Sequence, residues 1–428
     1  IRLVGSEMCI RDRIITTSKE RKLGFRVLFL GMFAIGTGQT LFIAVLPPYA
    51  RGLGLNTTEI GLIFSLSALG WMFMSPYWGR KSDYVGRKSI ILLGLFIYSL
   101  TTILMGLEFK FHNEGFIGLT FLFILLIITR GFFGFLGSGA HSASMAYVAD
   151  RTTEKERSGV MALMGSAFAV SGIIGPALAS QAILLGPLVP YFLFGSITGL
   201  IGILIWLFLP EKTKPNIRAK VHEVHLTAFD SRILTFISMG LFISQTQAII
   251  MQLLAMYLQD KFNYTVIEAT FYTGRVLILM GVTTFIVQFF IIRKISPTPG
   301  SLLRIGSIFS ILSLLLFIFS TNLYYMSLAL AIYGIGGALM GPGLFTGVSL
   351  AVGKNEQGAA AGILVSAYAA GFVINPFTGM KLFNLSPDFP YFLGIILMIF
   401  CLIISIIDKR LNRKVDFNED MGHSGHTG

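Results

Sequence analysis

The chain has 428 residues, 54% of them hydrophobic and only 13% charged, with a mean hydropathy of +0.76. Soluble domains carry about 25% charged residues, so this composition excludes a fold whose surface is mostly wet. The net charge of +12 falls mainly in short polar intervals and tails, where it reads as membrane orientation and excludes a nucleic-acid partner.

The opening IRLVGSEMCIRDR is unlike the rest of the chain, so residues 1–13 read as a foreign remnant and 1–24 as an N-terminal tail. From there apolar segments of about twenty residues recur, the length that crosses the hydrocarbon core. Six lie near 25–48, 59–78, 89–107, 118–147, 158–182 and 188–209. A polar stretch, 211–232, comes next. Six more lie near 233–258, 267–291, 301–320, 323–349, 357–381 and 389–407, before a tail at 408–428. The first run is too long for a cleavable signal peptide, and the alternating segments of a β-barrel are absent. The expected fold is all-α and membrane-integral: twelve transmembrane helices in two pseudo-symmetric six-helix bundles, 25–210 and 233–407, joined by a linker.

Lys and Arg set the orientation. With the termini and linker cytoplasmic, inside loops hold Arg80, Lys81, Arg87, Lys88, Arg151, Lys155, Arg157, Lys212, Lys214, Arg218, Lys220, Arg232, Arg293, Lys294, Arg304 and Lys354. The outside loops hold Arg51, Lys110, Lys261 and Lys381. Cys9 and Cys401 imply no disulfide framework. In the tail, His423 and His426 are too few for a metal site, and no cofactor is expected.

An internal repeat supports two related halves. At an offset of 200 residues, Glu156, Ser166, Ala167, Ala169, Ile174 and Pro176 fall on Glu356, Ser366, Ala367, Ala369, Ile374 and Pro376. Parallel repeats of this kind belong to transporters whose site lies between the halves at the bilayer midplane.

Between segments two and three the sequence reads PYWGRKSDYVGRKS, so that Gly79, Asp83, Gly86, Arg87 and Lys88 form G-x-x-x-D-x-x-G-R-K. Gly79 permits close helix approach and Gly86 a tight reversal. Asp83 stands among four bases, placed for a local ion pair or a helix N-terminus. This stretch resembles motif A of the major facilitator superfamily, and the resemblance runs from about Arg26 to Lys409. It implies a cytoplasmic gate in which Asp83 helps hold the outward-open state with Arg87 as its supporting base. Tyr84 departs from the basic residue usual there.

Arg130, in ITRGFFGFLGSG, is a charge deep in an apolar run and therefore a functional candidate. It resembles the family's motif B arginine, with Gly134 in place and Phe133 replacing a polar residue. Asp150 and Arg157 match the family's acid-then-arginine loop after the fourth segment. The fifth segment, SGIIGPALAS, keeps Gly175 and Pro176 of the antiporter signature, with Ser171 at the upstream glycine position and Gly172 one step away. The whole span resembles the twelve-helix drug:proton antiporters, including tetracycline-type exporters. That implies efflux of a small molecule, a proton as coupling ion, a bacterial inner-membrane setting and a monomer in the lipid bilayer.

Acids place a condition on coupling. Glu59 and Glu268 sit at the outer starts of segments two and eight, and every other acid reads as loop, tail or gate, leaving no membrane-embedded carboxylate. His141 is then the candidate proton carrier, against a plain hydrogen-bonding role in a small-residue interface. Arg275 is a second intramembrane charge, either structural or anion-binding. Gln39, Thr40, Gln245, Gln247, Gln252 and Asn375 are candidates to line a wet cavity, with interhelical glue as the alternative. Aromatic residues are expected to face lipid.

Proton-coupled export is the leading expectation. Proton symport or facilitated uptake of a polar metabolite is the alternative within the same fold. An integral membrane enzyme would need acids or histidines clustered at one membrane face, and a channel a re-entrant filter; neither is visible, so no enzymatic activity is expected.

Overall fold

The computed structural model describes residues 18–152, 154–210, 226–291, 298–353, 356–408 and 411. Residues 1–13, linker residues 211–225, Arg293, Lys294, Lys354, His423 and His426 lie outside the described residues, as does the side chain of Arg157.

Among the described residues, twelve helices follow one another along the chain. In the first half they are α1 (Ser18–Gly52), α2 (Thr57–Val85), α3 (Arg87–Asn113), α4 (Leu119–Asp150), α5 (Glu154–Ala182, then the 3-10 turn Ile183–Leu185) and α6 (Val189–Phe208). In the second half they are α7 (Leu234–Phe262), α8 (Val266–Ile291), α9 (Pro299–Ile318), α10 (Leu323–Leu350), α11 (Gln357–Leu385) and α12 (Phe389–Ile407). Eleven are long and apolar enough to span a membrane, and α5 contributes the shorter apolar stretch Val170–Leu185.

Several helices outrun their apolar segments because polar residues close their ends. Asn56 and Glu59 form a capping box at the start of α2, and Thr265 and Glu268 form the same device at the start of α8. The two outer glutamates thus satisfy first-turn N–H groups at matching places in the halves. α3 continues to Asn113, six residues past its apolar run, which brings Glu108 inside the helix.

Packing divides by depth. At the end away from the linker, one continuous core joins both halves: Leu46 and Tyr49 of α1, Phe109 of α3 and Tyr191 of α6 belong with Leu254 and Tyr257 of α7, Phe317 of α9 and Tyr391 of α12. At the linker end the cores are separate. One holds only first-half residues, including Leu28, Leu95, Val148 and Ile205; the other only second-half residues, including Phe236, Leu344, Leu364 and Met398. The molecule is therefore sealed at the far end and parted at the linker end. Many aromatic residues contradict the lipid-facing expectation: Tyr98, Tyr147, Tyr191, Tyr257 and Tyr391 are fully buried between helices. Their rings fill interhelical space that lipid would otherwise enter, and edge-to-face contacts such as Tyr257–Tyr391 (4.9 Å) orient them.

Candidate functional site

The α2–α3 turn builds an ion cluster around one arginine. Gly86 adopts φ +102°, a conformation that side chains disfavour, and reverses the chain between the two helices. The reversal aims Arg87 back along α2. Its guanidinium pairs with Asp83, bonds Asp150 at the end of α4 (3.0 Å), and donates to Ser82 Oγ (2.5 Å) and the Gly79 carbonyl (3.2 Å). The helix C-terminal carbonyl and two carboxylates together neutralise it. Lys88 comes next, half-buried, in the first turn of α3, and Tyr84 points outward at 66% exposure. Among the described residues, the partners of Arg87 all belong to α2 and α4, so in this state it makes no bond to the second half.

The corresponding end of the second half has its own clamp. Arg232 bonds Asp230 (2.8 Å) and Glu356 before α11 (2.8 Å). Its hydrogen bonds hold both carboxyls below their usual range, and the two carboxylates raise the Arg232 guanidinium further. Depressed carboxyls contribute above the ordinary carboxylate range and lose that contribution as pH falls through their folded values.

Deeper in the first half, Arg130 is 6% exposed and stacks over Phe42 (3.9 Å) and Phe133 (4.9 Å), with Nε buried and unpartnered. α4 makes a π-helical turn at Phe133–Gly137, shortly after it. Gly134 there meets the Ser67 backbone of α2 closely enough that no side chain fits. His141, half-buried, faces Trp71 of α2 with ring centres 6.4 Å apart.

The interhelical role of the α5 signature is divided between neighbours. A Cβ at Gly175 would collide with Thr40 and the Thr37 carbonyl of α1, whereas one at Gly172 would meet open space. Gly172 is thus no packing substitute for the upstream glycine, and Ser171 instead accepts the Thr40 hydroxyl through its carbonyl (3.0 Å). Pro176 lies against Gly274 of α8, and Pro376 against Gly61 of α2. The two repeat prolines therefore mark the two seams between the halves.

The amides separate into two groups. Gln39 and Thr40 are half-buried on α1, and Gln247, half-buried on α7, bonds Tyr368 of α11. Gln245, Gln252 and Asn375 are buried and bonded to one another between helices, as the interhelical alternative has it. Asn375 donates to Gln252 Oε1 (2.8 Å) and accepts from Gln245 (3.1 Å), which also reaches Thr378 (2.9 Å). They tie α7 to the 3-10 break of α11 at Asn375–Phe377, where Pro376 removes a backbone donor. Across the seam, Ser65 of α2 donates to the Val373 carbonyl just before that break (2.6 Å).

Arg275 stacks on Phe271 (4.1 Å) and shares an exposed arc of α8 with Leu279, Val282 and Ile286.

One residue overturns the expectation that no carboxylate is embedded. Glu108 of α3 is 7% exposed, accepts from Thr129 of α4 (2.5 Å) and leaves Oε2 buried without a partner. Its apolar run ends at Leu107, so hydropathy alone puts it in a loop. The seven-residue spacing from Gly94 and Thr101 was the available signal, since Gly94 already packs on Ala140 of α4.

At the sealed end, Arg51 of α1 and Asp260 of α7 form a two-pronged pair (2.6 and 3.1 Å), and Arg51 also reaches the Met256 carbonyl (3.3 Å). Among the described residues there is no group of three or more metal-binding side chains.

Two six-helix halves closed at one end and parted at the other define a membrane transporter of the alternating-access type. The sequence pattern of the Major Facilitator Superfamily matches residues 28–376, and the chain belongs to that family. It is similar to the quinolone resistance protein NorA of Staphylococcus aureus (strain COL), 23% identical over 396 residues, covering 91% of this chain and 97% of that protein. Multidrug resistance protein 2 of Bacillus subtilis (strain 168) is 25% identical over 406 residues, covering 89% of this chain and 94% of the relative. Among solved structures, a bacterial homologue of the human lysosomal transporter Spinster, inward-facing and occupied, superposes with a TM-score of 0.70 at 15% identity, covering 92% of this chain and 96% of that one. The human organic anion transporter MFSD10 gives 0.64 at 20% identity, covering 91% and 100%.

Proposed function

We propose that the chain exports a small organic compound in exchange for protons, in a bacterial inner membrane with both termini cytoplasmic. On this reading the first bundle occupies 25–210 and the second 233–407, the protein acts as a monomer, and it catalyses no covalent chemistry. The single observation that carries the reading is the depth-divided packing: one shared core at the far end and two separate cores at the linker end. The basic residues near the linker end support a cytoplasmic setting for that end; on this reading the opening faces the cytosol, where an exporter loads. Relatives named for quinolone and multidrug resistance support the direction.

Gly79, Asp83, Gly86, Arg87 and Lys88 then form the cytoplasmic gate, at rest in this state because its ion pairs stay within the first half. Closing the cytoplasmic end would bring Asp83 toward the second half, at the expense of its pair with Arg87. Flux of a fluoroquinolone into inverted vesicles, driven by an imposed pH gradient, tests the function. Asp83→Asn is expected to lower that flux at least tenfold with unchanged membrane insertion. Normal flux in the variant would remove the gate assignment, and wild-type uptake opposite in direction would favour the symport alternative.

A further inference from the structure

Glu108 is the one buried acid among the described residues, and its surroundings are those of a group that must change charge. It lies five residues before the end of α3 at Asn113, about 7.5 Å in from the sealed end. Thr129 holds one carboxyl oxygen and nothing holds the other. Several of the charged and titratable groups on the helices around it have partners of their own. On its own helix, Lys110 pairs with Glu114 (3.8 Å), and the His112 ring meets the Ile117 carbonyl (2.9 Å). Tyr49 of α1 accepts from Asn113 (2.7 Å), and Tyr191 of α6 has a buried, unpartnered hydroxyl. On α2, Glu59 is closed in its capping box, and Asp83 lies at the opposite end of the helix, paired with Arg87. On α4, His141 lies deeper, against Trp71, and Asp150 at the far terminus bonds Arg87.

That leaves Arg130, the residue after Thr129. It is as buried as Glu108 and equally without an ion-pair partner, because its guanidinium is turned onto Phe42 and Phe133. The guanidinium faces those rings rather than Glu108, which therefore has no cation bonded to it. A buried carboxylate without a cation is strongly disfavoured, and a proton on Glu108 relieves this. The packing thus favours the protonated acid in this state.

We propose that Glu108 binds the coupling proton, is neutral in the state open at the linker end, and gives the proton up when that state is left. The step is a proton transfer alone: water on one side gives a proton to a carboxylate oxygen, and water on the other side takes it back. The assignment rests on the proton-coupled reading above and names the group that carries the proton, a role that the sequence pattern points to His141 to fill.

The test uses the proton itself as probe. In full-length protein reconstituted in lipid, with Cys9 and Cys401 replaced by alanine, spin labels at Phe116→Cys and Tyr324→Cys report the separation of the two halves at the far end. Both positions are 74% exposed. In the otherwise unchanged protein the distance distribution is expected to shift with pH. With Glu108→Gln it should stay at the low-pH distribution throughout, and a titrating carboxylic C=O infrared band should disappear. Thr129→Val keeps the carboxyl and loses one hydrogen bond; its midpoint should move by about one pH unit, which keeps the proposal testable if the glutamine variant does not fold. A Glu108→Gln protein that still follows pH, or an infrared band that persists in it, overturns the assignment. A parent protein whose distances ignore pH overturns proton coupling itself.

Discussion

At the scale of single residues, burial decides what a polar side chain can do. Asn375, fully buried, bridges Gln252 and Gln245, whereas Gln247 retains access and a single partner, Tyr368. Asn375→Ala should therefore destabilise the protein by about 1 kcal/mol, read as a lowered Tm in detergent. Gln247→Ala should leave Tm near its starting value and alter which compounds are carried. Equal Tm values for the two variants would refute the distinction. The sequence showed all these amides at membrane depth but not which way each faced. Helix rotation is set by contacts with neighbours, and a single sequence does not contain it. Glu108 was hidden for a related reason: hydropathy averages along the chain and marks where apolar residues stop, while the helix continues until its last carbonyls find partners.

At the scale of elements, α5 and α11 show how one duplicated pattern acquires two forms. Ser171 in α5 receives the Thr40 hydroxyl, and Val373 in α11 receives that of Ser65. Each carbonyl lies a few residues ahead of the repeat proline, where the helix ladder is interrupted. α5 stays helical through Pro176, but α11 breaks into a 3-10 turn. The repeat and its prolines were legible from the 200-residue offset; the break was not, because it depends on Asn375 being held by α7. The signature glycines make a paired prediction. Gly175→Val should cost about 1–3 kcal/mol through forced separation of α1 and α5, seen as a lower yield of monodisperse protein and a lower Tm. Gly172→Val, facing open space, should be tolerated by the fold. Equal tolerance of both would show that α1 and α5 do not meet at Gly175.

At the scale of the whole molecule, the seal at the far end combines a shared apolar core with, among the described residues, one ion pair across the halves. Arg51 and Asp260 are about a third exposed (32% and 29%), and such a pair contributes about 0–1 kcal/mol. Asp260→Ala should accordingly raise the population open at that end by up to about fivefold, measured as faster thiol labelling of Phe383→Cys, which lies beneath the Arg51 guanidinium. The exchanged pair, Arg51→Asp with Asp260→Arg, should return labelling toward its original rate. An unchanged rate in Asp260→Ala would assign the seal to the apolar core alone.

The sequence alone determined the all-helical membrane class, the twelve spans in two halves, the family and the α2–α3 motif. Each of these depends on local quantities: apolar run length, loop charge and residue spacing. The tertiary structure decided which end is sealed, which amides join helices, and that a carboxylate lies buried against Thr129. Those outcomes depend on helix rotation and on contacts between residues distant in sequence, such as Glu108 with Thr129 and Arg51 with Asp260. Lipid makes no demand on which apolar face turns inward, so only the packing of helix on helix selects it.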